Sequence, residues 1–184
     1  ALKDFVVLTP QCPMDTSRAD GSGIWLRRGW FETSTYSADV ELGLKALIDV
    51  VVSGCSVDRD SIAITGASMG GYGVLEIAGQ WPGYFSAAVP VAAHYEADID
   101  ELARRLGDQD LPLWFVHASN DWICPQITIR ELVKKIRARS RAEVHFTSYQ
   151  DTWSSSGHCA DRVAYWASSA SADQAEPLGQ NICL

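Results

Sequence analysis

The sequence predicts an α/β fold, a parallel sheet of about five strands with helices packed on it in three layers. Two observations point there. Short β-branched apolar runs alternate with stretches whose apolar residues recur at helical spacing, from residue 5 to residue 169. In addition, the run Ser61-Ile62-Ala63-Ile64-Thr65 passes directly into Gly66-Ala67-Ser68-Met69-Gly70, where small residues permit a sharp turn from strand to helix.

Taken in order, Phe5-Val6-Val7-Leu8 opens a strand at 5–9, followed by a long loop rich in Gly and Ser. A helix over 37–54 has a charged start in Asp39 and an apolar stripe of Leu42, Leu44, Leu47, Ile48 and Val51. Strand 61–66 and helix 69–80 flank the glycine turn, and strand 86–91 follows. A helix near 97–106 opens on the acidic run from Glu96 to Glu101, which suits the positive end of a helix dipole. Strand 112–117 comes next, then helix 126–139 with Ile127, Leu132, Val133 and Ile136 inward, and strand 143–149. Helix 160–169 ends one domain spanning 1–169, and residues 170–184 form an extended tail.

The chain has 184 residues, 47% of them hydrophobic, enough for one buried core. Its net charge of −8 argues against nucleic acid or an anionic membrane as partner, and no apolar run reaches transmembrane length. Five cysteines are an odd number, so at least one is unpaired within the chain. No Cys-x-x-Cys spacing supports a metal site, and neither a metal nor a cofactor is expected.

The Gly66-Ala67-Ser68-Met69-Gly70 segment has the form of a nucleophile elbow. A serine on such a turn projects its hydroxyl above the sheet edge, and the Met69 N–H points where a carbonyl oxygen becomes an oxyanion. The bland alternative is a glycine-rich turn with an incidental serine. A base and an orienting acid are expected on later loops, in the order Ser, Asp, His. Asp121 follows strand 112–117, and His158 lies in the loop after strand 143–149. All three residues thus fall at carboxyl ends of parallel strands, where open α/β sheets bind ligands.

Ser68 is read as nucleophile, His158 as general base and then acid, and Asp121 as the residue that fixes the imidazole tautomer. Asp151 and Asp161 rival Asp121, but Asp151 shares a loop with His158. Of the other histidines, His117 suits a packed strand end, His145 a polar strand face, and His94 the pocket lining. Trp25 and Trp153 are candidate walls for an acyl or aryl group, with ordinary packing as the alternative. If the acid and base loops converge, Cys124 and Cys159 are placed to form a disulfide between them; buried thiols are the other reading.

Several segments together resemble one family. They are Val57-Asp58-Arg59-Asp60-Ser61-Ile62 before Gly66-Ala67-Ser68-Met69-Gly70-Gly71-Tyr72-Gly73, and Thr9-Pro10-Gln11-Cys12-Pro13 with Trp25. Trp81-Pro82-Gly83-Tyr84-Phe85, Asn120-Asp121-Trp122-Ile123-Cys124-Pro125 and Gly157-His158 complete the set. Together they are similar to the predicted peptidase/esterase branch of the α/β-hydrolase superfamily, which includes polyhydroxybutyrate-depolymerase-like and feruloyl-esterase-like enzymes. The resemblance runs from Phe5 to Trp166. It implies an α/β-hydrolase fold, the triad Ser68, Asp121 and His158, and cofactor-free cleavage of a small or polymeric carboxylic ester. Two departures are local: Ser61 stands where the family usually has Arg, and Cys159-Ala160-Asp161 where a bulky aromatic follows the His.

The larger departure is at the start. Val6-Val7-Leu8-Thr9 resembles the family's fourth strand, while the earlier strands and the oxyanion loop after the third are missing from the sequence. The expectation is either a piece of a longer chain or a minimal variant whose first strand has moved inward beside strand 61–66. In the second case the N–H of Gln11 or Cys12, or the Gln11 side-chain amide, supplies the second oxyanion donor. Three readings of function stand: a serine hydrolase of carboxylic esters, a serine peptidase or thioesterase of the same fold, and a non-catalytic chain with an incomplete oxyanion hole.

Overall fold

The computed structural model describes residues 5–10, 38–95, 97–151 and 153–166. The chain divides into two units, Ala1–Ser61 and Ile62–Leu184.

In the first unit, helix α1 covers Ala38–Gly54, where the sequence periodicity put it. Its more buried stripe is Leu44, Ile48, Val51 and Val52, while Leu42 and Leu47 are exposed. These four positions follow the i, i+4, i+7, i+8 pattern, so the helix has one face turned by less than a residue step from the expected one. A 3₁₀ turn at Arg59–Ser61 follows. It is held by Asp58, whose carboxylate accepts from Ser61 Oγ at 2.7 Å and from the Asp60 N–H at 3.0 Å. Ser61, where the family usually has Arg, is therefore a turn-forming residue here. The expected strand at 5–9 is not a strand: residues 5–10 carry no ladder, and Phe5, Val6 and Val7 are exposed. β-branched residues favour a strand only where a neighbouring strand supplies pairing and packing. The sequence around Gln11 and Trp25 lies outside the described residues, as does the tail from residue 167.

The second unit holds a four-stranded parallel sheet in the order β1-β2-β3-β4, from Ala63–Ala67, Ala87–Val91, Leu113–Ala118 and Val144–Tyr149. Its register pairs Thr65 with Val89, Val91 with Val116, and His117 with Ser148. Each strand is followed by a helix: α2 at Met69–Gln80, α3 at Ile99–Gly107, α4 at Ile127–Arg137 and α5 at Ala160–Trp166. Parallel neighbours require such crossovers. Among the described residues the sheet has one strand fewer than the five expected, because 5–9 does not join it.

Helices α2, α3 and α4 pack side by side, with α2 on β1 and β2 and α4 on β4. Helix α5 packs on β2 and β3, where Ala160 and Ala164 meet Val89, Val91, Val116 and Tyr149. Alternation along β2 sends Val89 and Val91 to this cluster and Ala88 and Pro90 to the other face. Helix α3 starts as its acidic run predicts: the Asp98 carboxylate accepts from the N–H groups of Asp100 and Glu101, both at 3.0 Å. That cap is worth about 1 kcal/mol. Helix α4 buries Ile129, Leu132, Val133 and Ile136; Ile127, expected inward, begins the helix and is exposed.

A buried polar cluster anchors α2. Glu76 accepts from Tyr95 Oη at 2.6 Å, with Arg105 Nη2 at 3.5 Å from its other oxygen. Among the described residues no helix is long and apolar enough to cross a membrane.

Candidate active site

The turn from β1 into α2 is sterically demanding. Ser68 has φ 56° and ψ −117°, a region that costs a non-glycine residue about 1–3 kcal/mol. Its N–H donates to the Val91 carbonyl at 2.9 Å and its carbonyl accepts from the Tyr72 N–H at 3.0 Å, so strand and helix both grip it. A Cβ on Gly66 would lie 2.6 Å from the Gly70 carbonyl carbon, and one on Gly71 would lie 2.6 Å from the Val91 oxygen. A Cβ on Gly70 would meet nothing within 4 Å. The close approach therefore depends on Gly66 and Gly71, the latter outside the five-residue pattern. Met69 opens α2, so its N–H has no acceptor within the helix.

Asp121 stands in the loop leaving β3, its side chain fully buried. Oδ1 accepts from the N–H groups of Ile123 at 3.0 Å and Cys124 at 2.8 Å, which fixes the carboxylate plane. Oδ2 faces His158 Nδ1 at 2.7 Å. His158 Nε2 faces Ser68 Oγ at 2.8 Å. Ser68, His158 and Asp121 thus form one unbroken chain of hydrogen bonds.

The loops that carry Asp121 and His158 are zipped together. The Trp122 N–H donates to the Ser156 carbonyl at 3.2 Å, and Trp122 Nε1 to the Ser155 carbonyl at 3.4 Å. Gly157, at φ 70°, presses so closely on the Asn120 carbonyl that no Cβ fits between them. Cys124 and Cys159 sit on these two loops but do not form the expected disulfide. The hydrogen bonds from Trp122 to Ser155 and Ser156 hold the loops together in its place.

His117, at the end of β3, is 1% exposed and lies 3.6 Å from Asp121 Oδ2 through Nε2. Burial lowers its pKa, outweighing the Cys124 carbonyl and Asp121, so the ring is neutral. Its Nε2–H donates to the Cys124 carbonyl at 2.7 Å, a buttress beneath the Asp121 loop. His145 is exposed and pairs with Glu143 at 3.1 Å. Asp161 is an exposed residue of α5. Asp151 does not touch the His158 ring; its partners are backbone and hydroxyl groups of the base loop.

Trp153 lies on the base loop, 54% exposed, with its ring 6.3 Å from that of Tyr149. Trp25 and Gln11 lie outside the described residues. Among the described residues no group of three or more His, Cys, Asp or Glu side chains is placed to hold a metal ion. A charged cleft of about 570 Å³ opens between α3 and α4, lined by ion-paired residues such as Asp100, Glu101 and Lys135, and contains none of the three residues above.

Residues 25–182 match the prolyl oligopeptidase family. The chain belongs to that family. This places it in the peptidase/esterase branch of the α/β-hydrolases, whose fold it shares. A thermostable esterase superposes with a TM-score of 0.62 at 27% identity, over 71% of this chain and 34% of that one. This chain therefore spans about a third of the esterase's length. Arabidopsis thaliana SOBER1 superposes with a TM-score of 0.61 at 15% identity, over 88% of this chain and 82% of that one. Esterase PE8 gives 0.54 at 15% identity, over 86% and 68%. The last two likenesses concern the fold alone. No curated protein matches the sequence.

Proposed function

We propose that this prolyl oligopeptidase family member is a serine hydrolase that cleaves carboxylic esters through an acyl-enzyme on Ser68. The observation that carries the reading is the continuous relay, Ser68 Oγ to His158 Nε2 at 2.8 Å and His158 Nδ1 to Asp121 Oδ2 at 2.7 Å. Ser68 Oγ attacks the ester carbonyl carbon as its proton passes to His158 Nε2. Asp121 holds the Nδ1–H tautomer and stabilises the imidazolium that forms. The tetrahedral oxyanion is received by the Met69 N–H. Collapse breaks the ester C–O bond, and His158 returns the proton to the leaving alcohol. Water, deprotonated by the same imidazole, then frees the carboxylic acid and restores Ser68. Trp153, exposed on the base loop, and Trp25 are the proposed walls for the acyl or aryl group.

A second reading, a serine peptidase, is favoured by the family itself, and a thioesterase would use the same relay. Esters are preferred because the relative with the highest sequence identity among those above is an esterase. A fluorophosphonate probe and a panel of nitrophenyl esters of graded acyl length, set beside peptide nitroanilides, test both readings. The expected result is labelling at Ser68, lost in Ser68→Ala, with turnover of esters exceeding that of amides. Folded protein that takes no label would favour the non-catalytic reading.

A further inference from the structure

Asp151 is a second buried carboxylate, 3% exposed, whose carboxylate bonds go to Trp153, Ser154 and Cys159 rather than to the His158 ring. Its backbone is locked to Asn120 by two reciprocal bonds: the Asp151 N–H donates to Asn120 Oδ1 at 2.8 Å, and Asn120 Nδ2 donates to the Asp151 carbonyl at 2.9 Å. Its carboxylate gathers the base loop. Oδ1 accepts from the Trp153 N–H at 2.7 Å, and Oδ2 from Ser154 Oγ at 2.6 Å and the Cys159 N–H at 3.2 Å. Asn120 immediately precedes the acid, and Cys159 immediately follows the base. One residue is therefore bonded to both neighbours of the Asp121–His158 pair. Burial pushes its carboxyl up, but the donors from Ser154, Trp153 and Cys159 outweigh it and hold the pKa below the ordinary carboxylate value.

We propose that Asp151 is a positioning residue, which sets the spacing of acid and base by tying the residue before Asp121 to the residue after His158. The inference rests on the assignment of His158 as general base. The Trp122 bonds to Ser155 and Ser156 join the two loops ahead of His158, and the Asp151 tie holds the residue after it; a misplacement of the imidazole near 1 Å costs about a hundredfold in rate.

Asp151→Asn tests it at constant shape. All three partners of the carboxylate are donors, and of these the Ser154 hydroxyl alone can turn to accept. The new amide NH₂ therefore takes the Oδ2 position and opposes the Cys159 N–H. The expected result is a fall in kcat on a nitrophenyl ester of about 10- to 100-fold with KM little changed, and an equal fall in fluorophosphonate labelling rate. The low-field proton resonance of His158 Nδ1–H should broaden or move. A role confined to stability would lower the melting temperature and leave kcat of the folded protein and this resonance in place; that outcome overturns the proposal. Should Asp151→Asn not fold, Asn120→Ser cuts the other end of the tie and leaves the three carboxylate donors intact. The same loss is expected, and wild-type kcat overturns the proposal. Absence of labelling in the wild-type protein would instead remove the base assignment, and this inference with it.

Discussion

Asp121→Asn is the most informative single substitution, because the structure dictates which way the new amide must face. Oδ1 receives the N–H groups of Ile123 and Cys124 at 3.0 and 2.8 Å, so an NH₂ there would oppose two donors. The amide oxygen must take that position, which leaves the NH₂ 2.7 Å from His158 Nδ1. An N–H pointing at Nδ1 makes that nitrogen the acceptor and moves the imidazole proton to Nε2. Nε2 then has no lone pair for the Ser68 proton, although it still lies 2.8 Å from Oγ. The negative charge that would stabilise the imidazolium is also gone. Together these effects lower kcat by about 10⁴-fold in serine hydrolases, or about 5.4 kcal/mol of barrier. The variant is isosteric and both backbone donors keep an acceptor, so circular dichroism and substrate KM should barely change. The assay is steady-state hydrolysis of a nitrophenyl ester with the fluorophosphonate labelling rate alongside. A variant within about tenfold of wild type, less than 1.4 kcal/mol, would refute the relay as the source of nucleophile activation.

Other substitutions probe the scaffold. Gly157→Ala places a Cβ against the Asn120 carbonyl at a φ of 70°, so it should cost more than the about 1–2 kcal/mol of a left-handed alanine and lower kcat as well. Urea unfolding and ester turnover check both effects, and a loss under about 0.5 kcal/mol would show that the loops do not depend on that contact. The pKa of His117 lies below the ordinary 6.5 because of burial, so on acidification the unfolded chain binds the proton before the folded one. Its contribution is complete above pH 6.5 and is lost as pH falls from there towards the folded-state pKa. Unfolding free energies across that interval should decline with acid, and His117→Gln, which keeps an N–H for the Cys124 carbonyl, should flatten the slope; an unchanged slope would assign the acid sensitivity elsewhere.

The sheet and its helices were readable in the sequence wherever hydrophobic period and punctuation agreed, as in the acidic cap of α3 at Asp98 and the glycine turn before Ser68. The apolar run at Phe5-Val6-Val7-Leu8 misled because a strand is a relation between two segments, and the run itself says nothing of a partner. Ile127 misled through its place at the first residue of α4, where the inward stripe has not yet begun. Ser68, Asp121 and His158, which hydrogen bonds join, could be singled out because the proposed chemistry requires those residue types in that order. The Asn120–Asp151 tie was not, since it joins residues 31 positions apart through backbone groups that every sequence possesses. Nor was the role of Gly71, whose constraint comes from the carbonyl of Val91 on the neighbouring strand.

The contact between Ser68 and His158 spans 90 positions of sequence, and the last of the three relay loops follows the final strand of the sheet. On the ribosome this order delays activation. Ser68 and its turn emerge early, but the imidazole proposed as its base arrives only after β4 has been made. Until then Ser68 is an ordinary alcohol. The hydrogen-bonded chain of Ser68, His158 and Asp121 can therefore close only once the four described strands have been made, and a chain cut short after Tyr149 would carry Ser68 without His158.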